Sequence, residues 1–193
     1  SFAFGLAKSI DKNLLKSVFW VAIPRALTLS IHQIVLLVFI GVATLMTAGS
    51  VSVFQFAFNL QSVPLAIIGM SYSVAAFPVL AELFAKKDKD AFNSHVLTAL
   101  RHIVFWSLPI IALVIVLRAQ IVRVVLGSGA FDWNDTRLTA AVLALFIIGL
   151  VAQSILLLLV RTFYAGGKTK IPLIVALVGA FISGVSAVIG LKL

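Results

Sequence analysis

VLTALRHIVFWSLPIIALVIVLRAQIVRVVL, residues Val96–Leu126, is the stretch that decides the fold. Between His102 and Arg118 it carries no charged side chain, and Ser107 and Pro109 are its interruptions. A helix rises about 1.5 Å per residue, so about 20 apolar residues suffice to cross the hydrocarbon core. No water is available there to satisfy a backbone N–H or C=O, so a segment of this kind has to be helical. The same composition recurs on both sides, at Val18–Met46, Val51–Phe84, Leu138–Tyr164 and Ile171–Leu191, with short connections that hold most of the charge. The sequence therefore predicts an all-α protein, a polytopic transmembrane bundle of about five spanning helices over residues 18–193.

Composition excludes a soluble fold. Hydrophobic residues make up 62% and charged residues 11%, with a mean hydropathy of +1.20, against about 45–50% and 25% in soluble domains. The absence of cysteine excludes disulfide scaffolds and thiolate metal sites. Ser1 is not an initiator methionine, and Leu193 follows a span directly. The chain is expected to be a fragment of a longer protein.

The net charge of +9 does not imply nucleic acid, because the basic residues form no single stripe that could track phosphates. They gather at alternate ends of the spans. Lys8, Lys12 and Lys16 precede the first span, Lys86, Lys87 and Lys89 follow the second, with Arg101 one turn into the next, and Arg161, Lys168 and Lys170 flank the turn after the fourth. The opposite side has an uncharged loop, Thr47–Ser50, and one where Arg118, Arg123 and Arg137 are mixed with Asp132 and Asp135. This is the positive-inside pattern. It places the start of the chain in the cytoplasm and the bundle in a cytoplasmic membrane. Residues 1–17, where Phe2, Phe4, Leu6 and Ile10 interleave with lysines, read as a cytoplasmic linker or an interfacial amphipathic helix against membrane lipids.

Function has to be sought among the polar groups within the spans. The first holds Pro24 and Arg25 near its cytoplasmic end, then His32 and Gln33 about two turns further in. Polar groups at such depth face a bundle interior or a wet cavity. The second holds Gln55, Asn59, Gln61 and Ser62 before Pro64. Gln55, Asn59 and Ser62 share one face by their i, i+4, i+7 spacing. Such a stripe fits a helix lining a polar cavity and equally one bonded to its neighbours. Glu82 is within reach of the lysines at 86–89. Span four has one deep polar residue, Gln153, and Asp132, Asn134 or Asp135 can cap its start. Small residues in span five, including Gly179 and Gly184, favour close helix packing.

The chemistry-bearing patterns of enzymes are missing. There is no acid pair and no nucleophile constellation, and His32, His95 and His102 lack metal-ligand spacing. No phosphate-binding loop is present, and Gly166-Gly167-Lys168-Thr169 lacks the upstream glycine of one. Neither enzyme activity nor a cofactor or metal is expected.

Resemblance carries the reading further. Val63-Pro-Leu-Ala-Ile-Ile-Gly69, continuing to Ala76-Phe-Pro-Val-Leu80, resembles the proline–glycine stretch of the MurJ/MviN family. Leu108-Pro109, Leu126-Gly-Ser-Gly-Ala-Phe-Asp132 with Asp135-Thr136, and Arg161-Thr-Phe-Tyr-Ala165 with Thr169-Lys170-Ile-Pro172 are similar to further family motifs in the same order. Pro24-Arg25 and Gln33 fit the opening of that repeat. The likeness covers roughly Val18–Leu191.

That family comprises lipid II flippases of the multidrug/oligosaccharidyl-lipid/polysaccharide exporter superfamily. The resemblance implies two lobes around a central cavity, with these spans as helices seven to eleven, the start of the second lobe. The first lobe is then a missing partner. The implied cargo is an undecaprenyl-pyrophosphate-linked peptidoglycan precursor, flipped by alternating access in cell-wall biosynthesis. Asn59, Gln55 and Arg25 are the residues expected to face the cavity, with His32 and Gln33 next. One departure stands out. Many members carry an acidic residue followed by arginine where this chain has Phe58-Asn59. Asparagine keeps a donor but supplies no charge for a pyrophosphate. Other readings therefore stay open: an exporter of another polyprenyl-linked glycan, a drug/ion antiporter, or a non-transporting scaffold. An antiporter would be expected to carry an intramembrane carboxylate, which these spans lack at depth.

Overall fold

The computed structural model describes residues 12–127 and 132–190. Most of the expected 1–17 segment, the centre of the reversal at Ser128–Phe131, and Leu191 lie outside the described residues. The fold is all-α: α1 (Lys12–Thr44), α2 (Ser50–Leu65), a π-helical turn (Ala66–Met70), α3 (Ser71–Ala85), α4 (Lys89–Leu126), α5 (Trp133–Ile148), α6 (Leu150–Ala165) and α7 (Lys170–Gly190). Four segments are long and apolar enough to cross a membrane on their own: Ala22–Thr44, Ser50–Ala85, Lys89–Leu126 and Lys170–Ala187. The pair α5–α6 makes a fifth if it is taken as one span bent by 46°. Side chains such as Val124, 85% exposed, and Phe181, 74% exposed, belong against lipid, since no soluble surface tolerates apolar groups over whole helices. This is a multi-pass membrane protein.

Contacts divide the chain into two units, residues 1–38 with 169–193, and residues 39–168. In the larger, α2 packs on α5, α3 packs on α4 and α6, and α4 packs on both α5 and α6. Its core has two clusters. Ile68, Leu80, Ile103, Ile147, Leu150 and Leu158 form one; Ala57, Val122, Ala140 and Leu143 form the other. Lipid tails are as apolar as leucine, so burial alone does not drive this packing; van der Waals fit and interhelical hydrogen bonds do. Fully buried Ser73, Ser107 and Ser154 are small enough to let the helix backbones approach.

Two features depart from straight spans. Pro64 lacks an N–H, and just after it the ladder slips to i→i+5: the Ser71 N–H and its hydroxyl both donate to the carbonyl of Ala66, the latter at 3.1 Å. The run expected as one span over Leu138–Tyr164 is two helices, broken at Gly149. The Gly149 N–H donates to Phe146 O at 3.1 Å, tightening the last turn of α5 before α6 begins.

The start of α5 is well capped. Asp132 Oδ1 accepts the Asp135 N–H at 2.8 Å, and Asp135 Oδ2 accepts the Asp132 N–H at 3.3 Å, a reciprocal capping box. Nearby, Arg123 at the end of α4 lies 5.7 Å over the Trp133 ring, close enough for a cation–π contact. Asp132→Ala is expected to cost about 1 kcal/mol, read as a lower unfolding midpoint in detergent; an unchanged midpoint would mean the cap contributes nothing to the fold.

Candidate functional site

The span made by α2, the π turn and α3 has two chemically different sides. Ala57, Gln61, Ile68, Gly69, Ser73, Ala76 and Leu80 are buried against the rest of their unit. Gln61, only 2% exposed, donates from Nε2 to Oε1 of Gln153 on α6 at 3.0 Å. The π turn brings Gly69 so close to α6 that a Cβ placed there would lie 2.9 Å from Ser154 Cα.

Gln55 and Asn59 lie on the other side. Both are exposed, one helical turn apart, in line with exposed Ser52 and Val63. Ser62, third in the expected stripe, is half-buried and its hydroxyl donates to the Asn59 carbonyl at 2.6 Å, which leaves the Asn59 and Gln55 amides as the groups that present hydrogen-bonding capacity outward. Phe58, next to Asn59, turns inward. Its ring meets Phe146 edge-on at 6.4 Å and stacks on Phe54 at 6.1 Å, and Phe54 also meets Phe146 edge-on at 5.5 Å. The Phe58-Asn59 dipeptide thus puts a half-buried aromatic against Phe54 and Phe146 and an amide on the surface.

In the unit of residues 1–38 and 169–193, α1 carries the other expected site residues. Arg25 is half-buried, while His32 and Gln33 are exposed. Arg25 and His32 are seven residues apart and so share a face, with Gln33 offset around the helix. Thr28 Oγ1 donates to Pro24 O at 2.7 Å and Ser30 Oγ to Ala26 O at 3.0 Å, so these hydroxyls are satisfied within the helix. Among the described residues no group of His, Cys, Asp and Glu could hold a metal ion.

The family model described as lipid II flippase MurJ matches residues 2–193. The chain belongs to the MurJ family. Among curated members, it is 31% identical over 159 residues to a probable lipid II flippase MurJ of Rhizobium tropici, covering 82% of this chain and 30% of that protein. It is 28% identical over 146 residues to one from Thermotoga maritima, covering 76% and 30%. The solved structure of a lipid II flippase MurJ in an inward closed conformation superimposes with a TM-score of 0.77 at 28% identity, over 86% of this chain and 35% of that one. The chain thus spans about a third of the length of the relatives it matches.

The sequence singles out Gln55 and Asn59 as site residues and shows Gln61 and Gln153 as deep polar groups without joining them. Gln61 and Gln153 are each a polar residue in an apolar span, which marks them as costly unless paired; nothing in linear sequence says that they pair with each other. The Glu82–Lys86 contact was readable from i, i+4 spacing and is present at 2.6 Å. It is solvent-exposed, and such pairs contribute little.

Proposed function

We propose that this chain is part of a flippase that moves lipid II, the polyprenyl-pyrophosphate-linked peptidoglycan precursor, across the bacterial cytoplasmic membrane by alternating access. The observation that carries this reading is the Gln55–Asn59 pair. These amides occupy an unpacked side of a membrane span whose opposite side is closely packed, in a chain of the MurJ family. An amide exposed at membrane depth is costly against lipid tails and suits a wet cavity that takes up a polar headgroup. Arg25, His32 and Gln33 are the further cavity candidates, Arg25 as the cation for a pyrophosphate. The first lobe of the same protein completes the cavity, and the basic ends of the spans support a cytoplasmic start of the chain. Transport proceeds without ATP, by rocking of the two lobes.

A different polyprenyl-linked glycan is the second reading, and Asn59 favours it. An uncharged amide at this position recognises sugar hydroxyls as readily as phosphate, whereas an arginine would select for the anion. Complementation separates the two. Full-length protein, and its Asn59→Leu and Asn59→Arg variants, are expressed in a bacterium depleted of its own lipid II flippase. Growth and surface-exposed lipid II are scored at matched protein level. Rescue by the parent is expected, with flipping about tenfold lower for Asn59→Leu, the loss of roughly one hydrogen bond to a charged group. Failure of the parent with rescue by Asn59→Arg would assign another cargo. If Asn59→Leu changes protein level alone and never transport, the flippase role of this face is wrong.

A further inference from the structure

At one end of the unit 39–168, the turns after α3 and α6 meet around an open cavity of about 600 Å3, within the size range of ligand pockets. Its floor is aromatic. Phe84 and Phe92 stand with ring centroids 6.5 Å apart, and Phe163 joins them. Its rim is cationic, with Lys87, Lys89 and Lys168 all exposed. Asp88 is the one carboxylate in the lining, and it is engaged in capping α4, its Oδ1 accepting the Ala91 N–H at 3.0 Å. Lys86 is outside the lining and paired with Glu82. Among the described residues the three rim lysines form no ion pair.

The backbone adds an independent observation. Both turns are the same helix-ending motif. After α3, the Lys87 N–H donates to Phe84 O at 3.1 Å and the Asp88 N–H to Leu83 O at 3.2 Å; after α6, the Gly167 N–H donates to Tyr164 O at 3.1 Å and the Lys168 N–H to Phe163 O at 2.9 Å. This motif needs a left-handed residue and usually takes glycine. The second turn has Gly167 at φ +70°, while the first has Lys87 at φ +58°, the one non-glycine residue of positive φ among those described. A left-handed conformation disfavours any residue with a Cβ. A lysine stands at 87 where glycine would turn the chain at lower cost, and it places a charge at the cavity rim.

We propose that this cavity binds an anionic glycerophospholipid, its phosphate at the Lys87–Lys89–Lys168 rim and part of an acyl chain over the phenylalanine floor. The bilayer presents both halves of such a ligand at the depth where span ends meet headgroups, and lysine stems extend along apolar surface to place the ammonium there. A zwitterionic lipid has the same phosphate, but its own cation would face three lysines, so the rim selects net negative charge. The inference goes beyond the transport reading and does not use it.

Delipidated full-length protein in detergent, titrated with phosphatidylglycerol or with phosphatidylcholine of the same acyl chains, tests this by native mass spectrometry and by the unfolding midpoint. Phosphatidylglycerol is expected to bind about tenfold or more tightly than phosphatidylcholine, and Lys87→Gly/Lys89→Gln/Lys168→Gln to erase that preference. Lys87→Gly alone is expected to weaken phosphatidylglycerol several-fold, while its lipid-free midpoint stays level or rises, which separates lost binding from lost folding. Equal affinity for the two lipids, or an undiminished preference in the triple variant, would overturn the site. Inorganic phosphate competing as well as the lipid would overturn the acyl part of it.

Discussion

Gly69→Ala is expected to lower the unfolding midpoint, and Gly69→Leu to leave no folded protein in the membrane. The new Cβ would stand 2.8 Å from Ser154 Oγ and 2.9 Å from Ser154 Cα. The first contact can be relieved by turning a hydroxyl; the second is backbone and cannot. Overpacking of this kind costs about 1–3 kcal/mol, against a gain of about 1 kcal/mol from replacing glycine within a helix. Sterics win because α6 is itself held by buried Leu150 and Leu158 and has nowhere to retreat. Gly179→Ala is the control, since nothing lies within 4 Å of a Cβ there; the propensity gain is then unopposed and the midpoint should hold or rise. Tryptophan fluorescence melts in detergent decide it. Equal midpoints for Gly69→Ala and the parent would mean that α6 shifts freely, and that the close approach at the π turn does not hold the unit together.

Gly69 also shows what linear sequence carries and what it does not. That residues 51–84 span a membrane is a matter of composition, which is local, and hydropathy reads it directly. That the helix slips register after Pro64 and brings Gly69 against Ser154 of α6 is a long-range match, which no local pattern spells out. Proline announces only that one hydrogen bond is missing, and the chain can answer with a kink, a water or a π turn. The break at Gly149 was hidden for a similar reason. Phe146, Ile147 and Ile148 before Gly149 and Leu150 and Val151 after it are all apolar, so hydropathy reports that the segment is membrane-embedded without reporting whether it is straight. At α5 the short-range signals sufficed, because a capping box is written in residues three apart. Of the candidate site, the i, i+4 spacing of Gln55 and Asn59 placed them on one face, but only the packing of Phe58, Gln61 and Ser73 tells which face that is. The glycines of span five read as packing residues, and Gly179 and Gly184 have open space where their Cβ atoms would be.

Gln61→Leu is expected to cost about 1–2 kcal/mol, and Gln61→Leu/Gln153→Leu less than the two single changes added together. The single change removes the 3.0 Å bond and leaves the half-buried Gln153 amide facing an apolar leucine, which is worse than losing the bond alone. Interhelical bonds in membranes average somewhat under 1 kcal/mol, so the orphaned amide supplies the rest. Removing both amides leaves no orphan, and the cycle over the four proteins should return a coupling of about 1 kcal/mol. The location sharpens the test. A Cβ at Gly149 would lie 3.2 Å from Gln153 Nε2, so the pair ties the span that contains the π turn to the first turn after the helix break. Its role is to hold two irregular helices in register, and transport per folded molecule should survive Gln61→Leu. Asn59→Leu, a helical half-turn away and exposed, should behave in the opposite sense, with the midpoint unchanged and flipping reduced. Should Gln61→Leu abolish flipping at an unchanged midpoint, the inward face would be the one that meets cargo, and the division of this helix into a packed side and a working side would be reversed.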